Sequence, residues 1–228
     1  MKVYKELDPR ASKRVSHLQD TRNRLYDPFF TYLQKQSDPP LSARARIVEM
    51  SRYFREGETS SDEVFARVLV HQARLWEAAC GEEIRYGDAR FVELCELGLL
   101  LKKRVSMLAG RTLWLGGTDK SAECEATQFN CCHIVLDSPQ ALREAMWLLL
   151  QGCGVGGTLP SSTQGCTIQR WVQRPKTVIV PSKRGPTDKG DPSTTLVYDD
   201  KTQTLHLQVG DSAIGWADAV LYILSLIP

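Results

Sequence analysis

The sequence has no CxxC pair and no clustering of cysteine with histidine at zinc-finger spacing, which argues against a structural zinc site. Its N-terminus, MKVYKELDPR, has no apolar segment of the kind that marks a secretory leader, and no apolar run approaches the length of a membrane span. Charge is not in excess either: 29 basic and 27 acidic residues leave a formal +2. A nucleic-acid footprint normally shows as clustered Lys and Arg, and that is missing. Lys2, Lys5, Arg10, Lys13 and Arg14 are interleaved with Glu6 and Asp8 and read as a solvated helix face. The cysteines number 7, an odd count that does not suit a secreted disulfide framework. They are expected to be free thiols in a cytoplasmic protein.

What is present is an ordinary globular composition, 42% hydrophobic and 25% charged over 228 residues, enough for one large or two small domains. The first half reads as helices. One spans HLQDTRNRLYDPFFTYLQKQ, with an interruption near Pro28. A second follows the Pro39–Pro40 breaker and stops at Gly57. A third takes Ser60 or Ser61 as its N-cap and Gly81 as its stop, with Val64, Val68, His71 and Leu75 on one face. A fourth runs from about Asp88 to Leu108, closed by Gly110. Cys80 and Cys95 on these helices read as small core residues.

From Gly110 the texture changes. RTLWLGGTD is a short apolar run ended by a Gly-Gly turn, and CCHIVLD is a strand-like run. DSPQALREAMWLLLQG is a helix with Asp137 or Ser138 as N-cap, Pro139 in its first turn, Gly152 as stop and Leu142, Met146 and Leu149 as its buried stripe. TVIVPSK is strand-like, 183–193 is a polar Gly/Pro loop, and STTLVYDDKTQTLHLQVGD is a hairpin turning at Asp199–Lys201. The last helix, capped at Asp211 or Ser212, is apolar nearly all round. Trp216, Val220, Leu221, Ile223, Leu224 and Ile227 would form a patch that belongs inside something larger. Strands alternating with helices give an α/β architecture. The expected organisation is a helical region, 1–108, followed by an α/β region, 109–228.

Two features carry chemistry. Cys131 and Cys132 are adjacent, and neighbours on a trans chain rarely satisfy disulfide geometry. On a strand their side chains point to opposite faces. Gly152 to Gly157, GCGVGG, matches G-x-G-x-x-G, but it follows a helix rather than opening one, so a dinucleotide fingerprint is disfavoured. Close approach of backbone to a ligand is the remaining use.

Four segments in order, RTLWLGGT (111–118), FNCC (129–132), LLLQGCGVGG (148–157) and GDSAIGWADAV (210–220), resemble the first half of the catalytic barrel of ribonucleotide reductases. The likeness is greatest to the adenosylcobalamin-dependent, class II, monomeric triphosphate reductases. It covers about residues 108–228 and is weak to absent over 1–90. It implies the first half of a ten-stranded α/β barrel behind a helical N-terminal region. It also implies thiyl-radical reduction of ribonucleotides to 2′-deoxyribonucleotides.

Carried over residue by residue, Cys131 matches one of the two reducing cysteines on the first barrel strand. Thr112, Asn130, Cys153 and Gly154 match positions at the substrate, although Cys153 replaces the usual Gly or Ala and can equally be structural. Asp137 and Ser138 match the start of the effector-binding helix. Lys183 and Arg184 lie in a loop able to contact effector phosphates, or simply a solvated one. The implied company is adenosylcobalamin, held mainly by the complete enzyme, a nucleoside triphosphate effector, a ribonucleotide substrate and a thiol reductant such as thioredoxin. No membrane, nucleic acid or protein-bound metal is implied.

The family's radical cysteine sits in a later N-x-C-x-E motif that does not occur here; ELCEL and AECEA lack it. The expectation is therefore one piece of a split or truncated reductase. Its C-terminal half, a separate partner chain, would carry the radical cysteine and the disulfide partner of Cys131. The alternatives are a class I large-subunit fragment, or a non-catalytic nucleotide-binding or assembly protein that retains the half-barrel.

Overall fold

The computed structural model describes residues 9–160, 178, 180, 191 and 193–225. The protein is mixed α/β and divides into two compact units, Met1–Phe129 and Asn130–Pro228.

The first unit is helical: α1 Pro9–Gln34, α2 Ala43–Arg52, α3 Ser61–Cys80, α4 Ala89–Lys102, α5 Gly110–Leu115 and α6 Asp119–Glu123, then a 3₁₀ turn, Glu125–Gln128. Helix α1 continues through Pro28. The expected break there does not occur. Leu25, Phe29 and Leu33 on the same stripe are at most 1% exposed, and their packing holds the helix together around the missing N–H. Phe29 stacks on Phe91 of α4 with centroids 4.9 Å apart. Leu18, Val68, Leu69 and Leu101 complete the same core, each such side chain contributing about 2 kcal/mol.

Local chemistry fixes the ends. Ser60 caps α3 through a reciprocal capping box with Glu63, and Gly81 ends it in the left-handed conformation, φ 73°. Asp88 caps α4 by accepting from Phe91 N–H. Helix α4 stops at Lys102, short of the expected Leu108, because the Lys102 ammonium turns in to meet both oxygens of Asp62 at 2.8 Å and Arg104 adopts φ 57°. Two expected core positions lie outside it. Leu75 is 36% exposed, turned away from the face that buries Arg74 and Glu77, and Cys80 is exposed because no residue of α3 beyond Glu77 is buried.

Residues 110–128 belong to this helical unit, so the expected boundary at 108/109 moves to 129/130. The reason is a set of side chains reaching out of the helices. The buried Arg67 guanidinium donates to the carbonyls of Gly116 and Leu113, and Arg14 donates to those of Ala122 and Glu123 at 2.8 Å. RTLWL, read as an apolar run, is helix α5.

The second unit contains β1 Cys131–Val135, α7 Pro139–Leu150, β2 Gly154–Thr158, β3 Thr195–Asp199, β4 Thr204–Gln208 and α8 Ala213–Ser225. Strands β1 and β2 pair in parallel across α7, and β3 and β4 form the expected antiparallel hairpin. Among the described residues these are two separate two-stranded sheets, with no closed barrel. TVIVPSK lies outside the described residues except for Val178 and Val180.

Helices α7 and α8 pack through small residues. Ala141, Ala145, Gly215, Ala217 and Ala219 are buried, and Arg143 Nε meets Asp218 at 2.5 Å. The expected stripe of Leu142, Met146 and Leu149 is not the buried one; Leu149 is 50% exposed. The close approach allowed by alanine and glycine puts the larger side chains at the flanks. Trp216, at 52% exposed, is one of them. No described helix is long and apolar enough to cross a membrane.

Candidate functional site

Strand β1 begins at Cys131, and its alternation decides the fate of the paired cysteines. Cys131, His133 and Val135 are exposed, whereas Cys132 and Ile134 are half-buried on the other face. The six described cysteines are free thiols. Cys131 and Cys132 are therefore separated as the strand period requires.

The parallel register sets Cys131 opposite Gly154, Cys132 opposite Val155 and His133 opposite Gly156. A Cβ on Gly154 would stand 3.6 Å from Cys131 Sγ, and one on Gly156 would stand 3.6 Å from His133 Nδ1, so these two glycines share the open face with the thiol and the imidazole. Thr158 completes it: its Oγ1 lies 2.9 Å from His133 Nε2. GCGVGG is thus a strand edge beside the candidate thiol rather than a phosphate loop at a helix N-terminus.

The other predicted residues fall as follows. Asn130 is exposed, and its carbonyl accepts from Gly154 N–H at 2.8 Å, which ties the entry of β1 to that of β2. Cys153 is 3% exposed, and its N–H donates to Leu148 O as the chain leaves α7. Burial of this kind suits the structural reading of Cys153, while Gly154 stays at the open face. Ser138 is the N-cap of α7. Its hydroxyl accepts from Ala141 N–H at 3.2 Å and donates to Asp137 Oδ1 at 2.9 Å. Thr112 belongs to the first unit, on α5, where its carbonyl accepts from Gly116 N–H at 2.8 Å. Lys183 and Arg184 lie outside the described residues.

Two members of the open face, His133 and Thr158, were not singled out from the sequence. The signal for His133 was present, because a residue two positions beyond Cys131 on a strand shares its face. Thr158 needs the pairing of β1 with β2, which no local pattern supplies.

The first unit buries polar groups of a different character. Glu77 is 3% exposed and accepts from Arg24, His17, Thr21 and the Ile84 N–H, at 2.8–2.9 Å. Burial alone would raise its carboxyl; these donors together hold it below the usual range. His71 is 1% exposed, and burial, with the nearby charge of Arg74, brings its imidazole down to about 4. Burial pushes the Cys95 thiol up to about 11, which leaves it inert. Through its donors Glu77 ties α1 to α3 and to the backbone at Ile84. No group of three or more metal-ligating side chains occurs among the described residues.

Comparison with protein-family models, curated proteins and solved structures finds no match to this chain.

Proposed function

We propose that this chain forms the N-terminal portion of a ribonucleotide reductase and contributes Cys131 as one of its two reducing thiols. The reaction replaces the ribose C2′–OH by C2′–H, releases water and oxidises two thiols to a disulfide. The second thiol and the radical cysteine come from the C-terminal half of the enzyme, on a partner chain in the split form of this reading. The β1–α7–β2 element would then be the first parallel unit of the ten-stranded barrel.

The observation that carries this reading is the open face of that unit. An accessible thiol stands on a strand, and the neighbouring strand offers glycine hydrogens where side chains would otherwise stand. A substrate could lie against the backbone there, within reach of Cys131. Asn130 and Gly154 border the same thiol. Cys153 and Thr112 retain their substrate assignments only through the family resemblance. Asp137, Ser138, Lys183 and Arg184 are proposed for the effector on that same basis.

Adenosylcobalamin would supply the radical that is passed to the radical cysteine; no residue of this chain is assigned to hold it. The reductant that reopens the disulfide would be a dithiol protein of the thioredoxin kind.

The test combines this chain with the segment carrying N-x-C-x-E and follows conversion of labelled ribonucleotides to deoxyribonucleotides. Adenosylcobalamin and dithiothreitol are supplied. Activity should require both parts, disappear in Cys131→Ser and survive in Cys132→Ser. Full activity in Cys131→Ser would remove the redox assignment. Activity that depends on an added metal-containing radical-generating subunit in place of cobalamin would point to the class I form instead.

A further inference from the structure

Gly154 and Gly156 have no steric reason among the described residues to be glycine. Neither has a positive φ, and a Cβ on either would make only ordinary contacts, the nearest being 3.6 Å from Cys131 Sγ and 3.6 Å from His133 Nδ1. Gly157, on the opposite face, is the contrast: its Cβ would stand 2.6 Å from Leu136 Cδ1. Among the described residues the strip over Gly154 and Gly156 is clear, and neither glycine serves the packing of the sheet.

His133 borders that strip. Its Nε2, 2.9 Å from Thr158 Oγ1, fixes the ring, and the Nδ1 edge is the one facing Gly156. A threonine hydroxyl can donate or accept, so it supports either tautomer of the ring. Cys131 and His133 are two residues apart, roughly 7 Å along the strand, a span that a ribose with its 5′-phosphate covers.

We propose that His133 is a substrate-positioning residue: its Nδ1 hydrogen-bonds an oxygen of the ribose-phosphate laid over Gly154 and Gly156, and so sets the ribose against the Cys131 thiol. This rests on the reductase reading and adds to it a residue and a direction for the nucleotide along β1. Thr158 acts through His133 by holding the ring.

The test uses the full chain and reads nucleotide binding through the thiol itself. Cys131 is alkylated with iodoacetamide, its modification is followed by peptide mass spectrometry, and ATP or CTP is titrated in. Each variant is compared with its own rate without nucleotide. Nucleotide should slow alkylation of the wild type. The half-protecting concentration should rise about tenfold in His133→Leu, the loss of one hydrogen bond, and recover to within about threefold in His133→Asn, whose amide nitrogen can occupy the Nδ1 position. Thr158→Val should weaken protection by a smaller factor, and Gly156→Val, which fills the strip, should abolish it. Circular dichroism of each variant checks the fold. Equal protection in the wild type and in His133→Leu would overturn the role of His133 and leave the reductase reading standing. No protection of the wild type by either nucleotide would overturn the proposal for His133, while the reductase reading stands or falls on the reconstituted assay of Cys131→Ser.

Discussion

Cys131 and Gly154 are register partners across β1 and β2, and the thiol sulfur lies 3.6 Å from where a Gly154 side chain would begin. A single methyl group fits beside it and a branched one covers it. Gly154→Ala should therefore change stability by less than about 1 kcal/mol. Gly154→Val should keep the fold but slow alkylation of Cys131 by about tenfold, because reactivity depends on access as well as on thiolate content. In the same mass-spectrometric experiment Cys80 and Cys131 should label in the native protein. Cys95 and Cys153 should label only after denaturation, since both are buried.

The Gly116–Gly117 pair of the WLGGT motif has a purely structural explanation as well. Gly117 has φ 78°, and a Cβ there would be driven into the carbonyl oxygen of Arg67. Gly117→Ala should destabilise the first unit by about 2–4 kcal/mol, combining left-handed strain with a backbone clash that no rotamer relieves. Urea unfolding measured by circular dichroism would show it as a fall in midpoint. An unchanged midpoint would mean that the loop moves freely off α3.

Glu77 sets one pH dependence. Its folded carboxyl lies below its ordinary value of 4.5, so the stability it contributes is present above that value and is lost as pH falls through the lower folded one. Glu77→Gln should cost about 1–3 kcal/mol at neutral pH, because the charge-assisted hydrogen bonds from Arg24, His17 and Thr21 weaken, although Arg24 keeps Asp20. It should also flatten the acid limb of the stability curve. A variant that keeps the wild-type acid limb would exclude Glu77 as its source.

His71 sets the other. Its folded value of about 4 lies below the ordinary 6.5, so the unfolded chain binds a proton that the folded one refuses between those values. Stability therefore falls as pH drops from 6.5 toward 4 and flattens below it. Between neutral pH and about pH 5.5 the loss from this group is on the order of 1 kcal/mol. His71→Gln should remove that slope in equilibrium denaturation at the two pH values. Persistence of the full slope would assign it elsewhere.

The element types were largely legible because capping and periodicity are local. Ser60 with Glu63, Gly81, Asp88, and Ser138 with Pro139 mark helix ends through hydrogen bonds spanning at most four residues. The separation of Cys131 from Cys132 follows from the two-residue period of a strand. Pro28 misled because its local cost is overridden by Leu25, Phe29 and Leu33, whose partners lie on other helices. The stripe of α7 misled because hydrophobicity marks Leu142, Met146 and Leu149, while the contact is made where Ala141 and Ala145 let α8 come close. In the candidate site, Cys131 and Gly154 could be named from their segments, but their facing relationship could not.

The sequence by itself thus determined most of the longer helices, the β1 strand, the β3–β4 hairpin and the placing of Cys131 and Cys132 on opposite faces, all of which depend on neighbours a few residues away. Only the tertiary structure decided that residues 110–128 belong with the helices, that His133 is held by Thr158, and that two glycines lie clear beside the thiol. Those depend on strand register and on side chains such as Arg67 reaching 46 to 49 residues along the chain, distances over which no local pattern carries information.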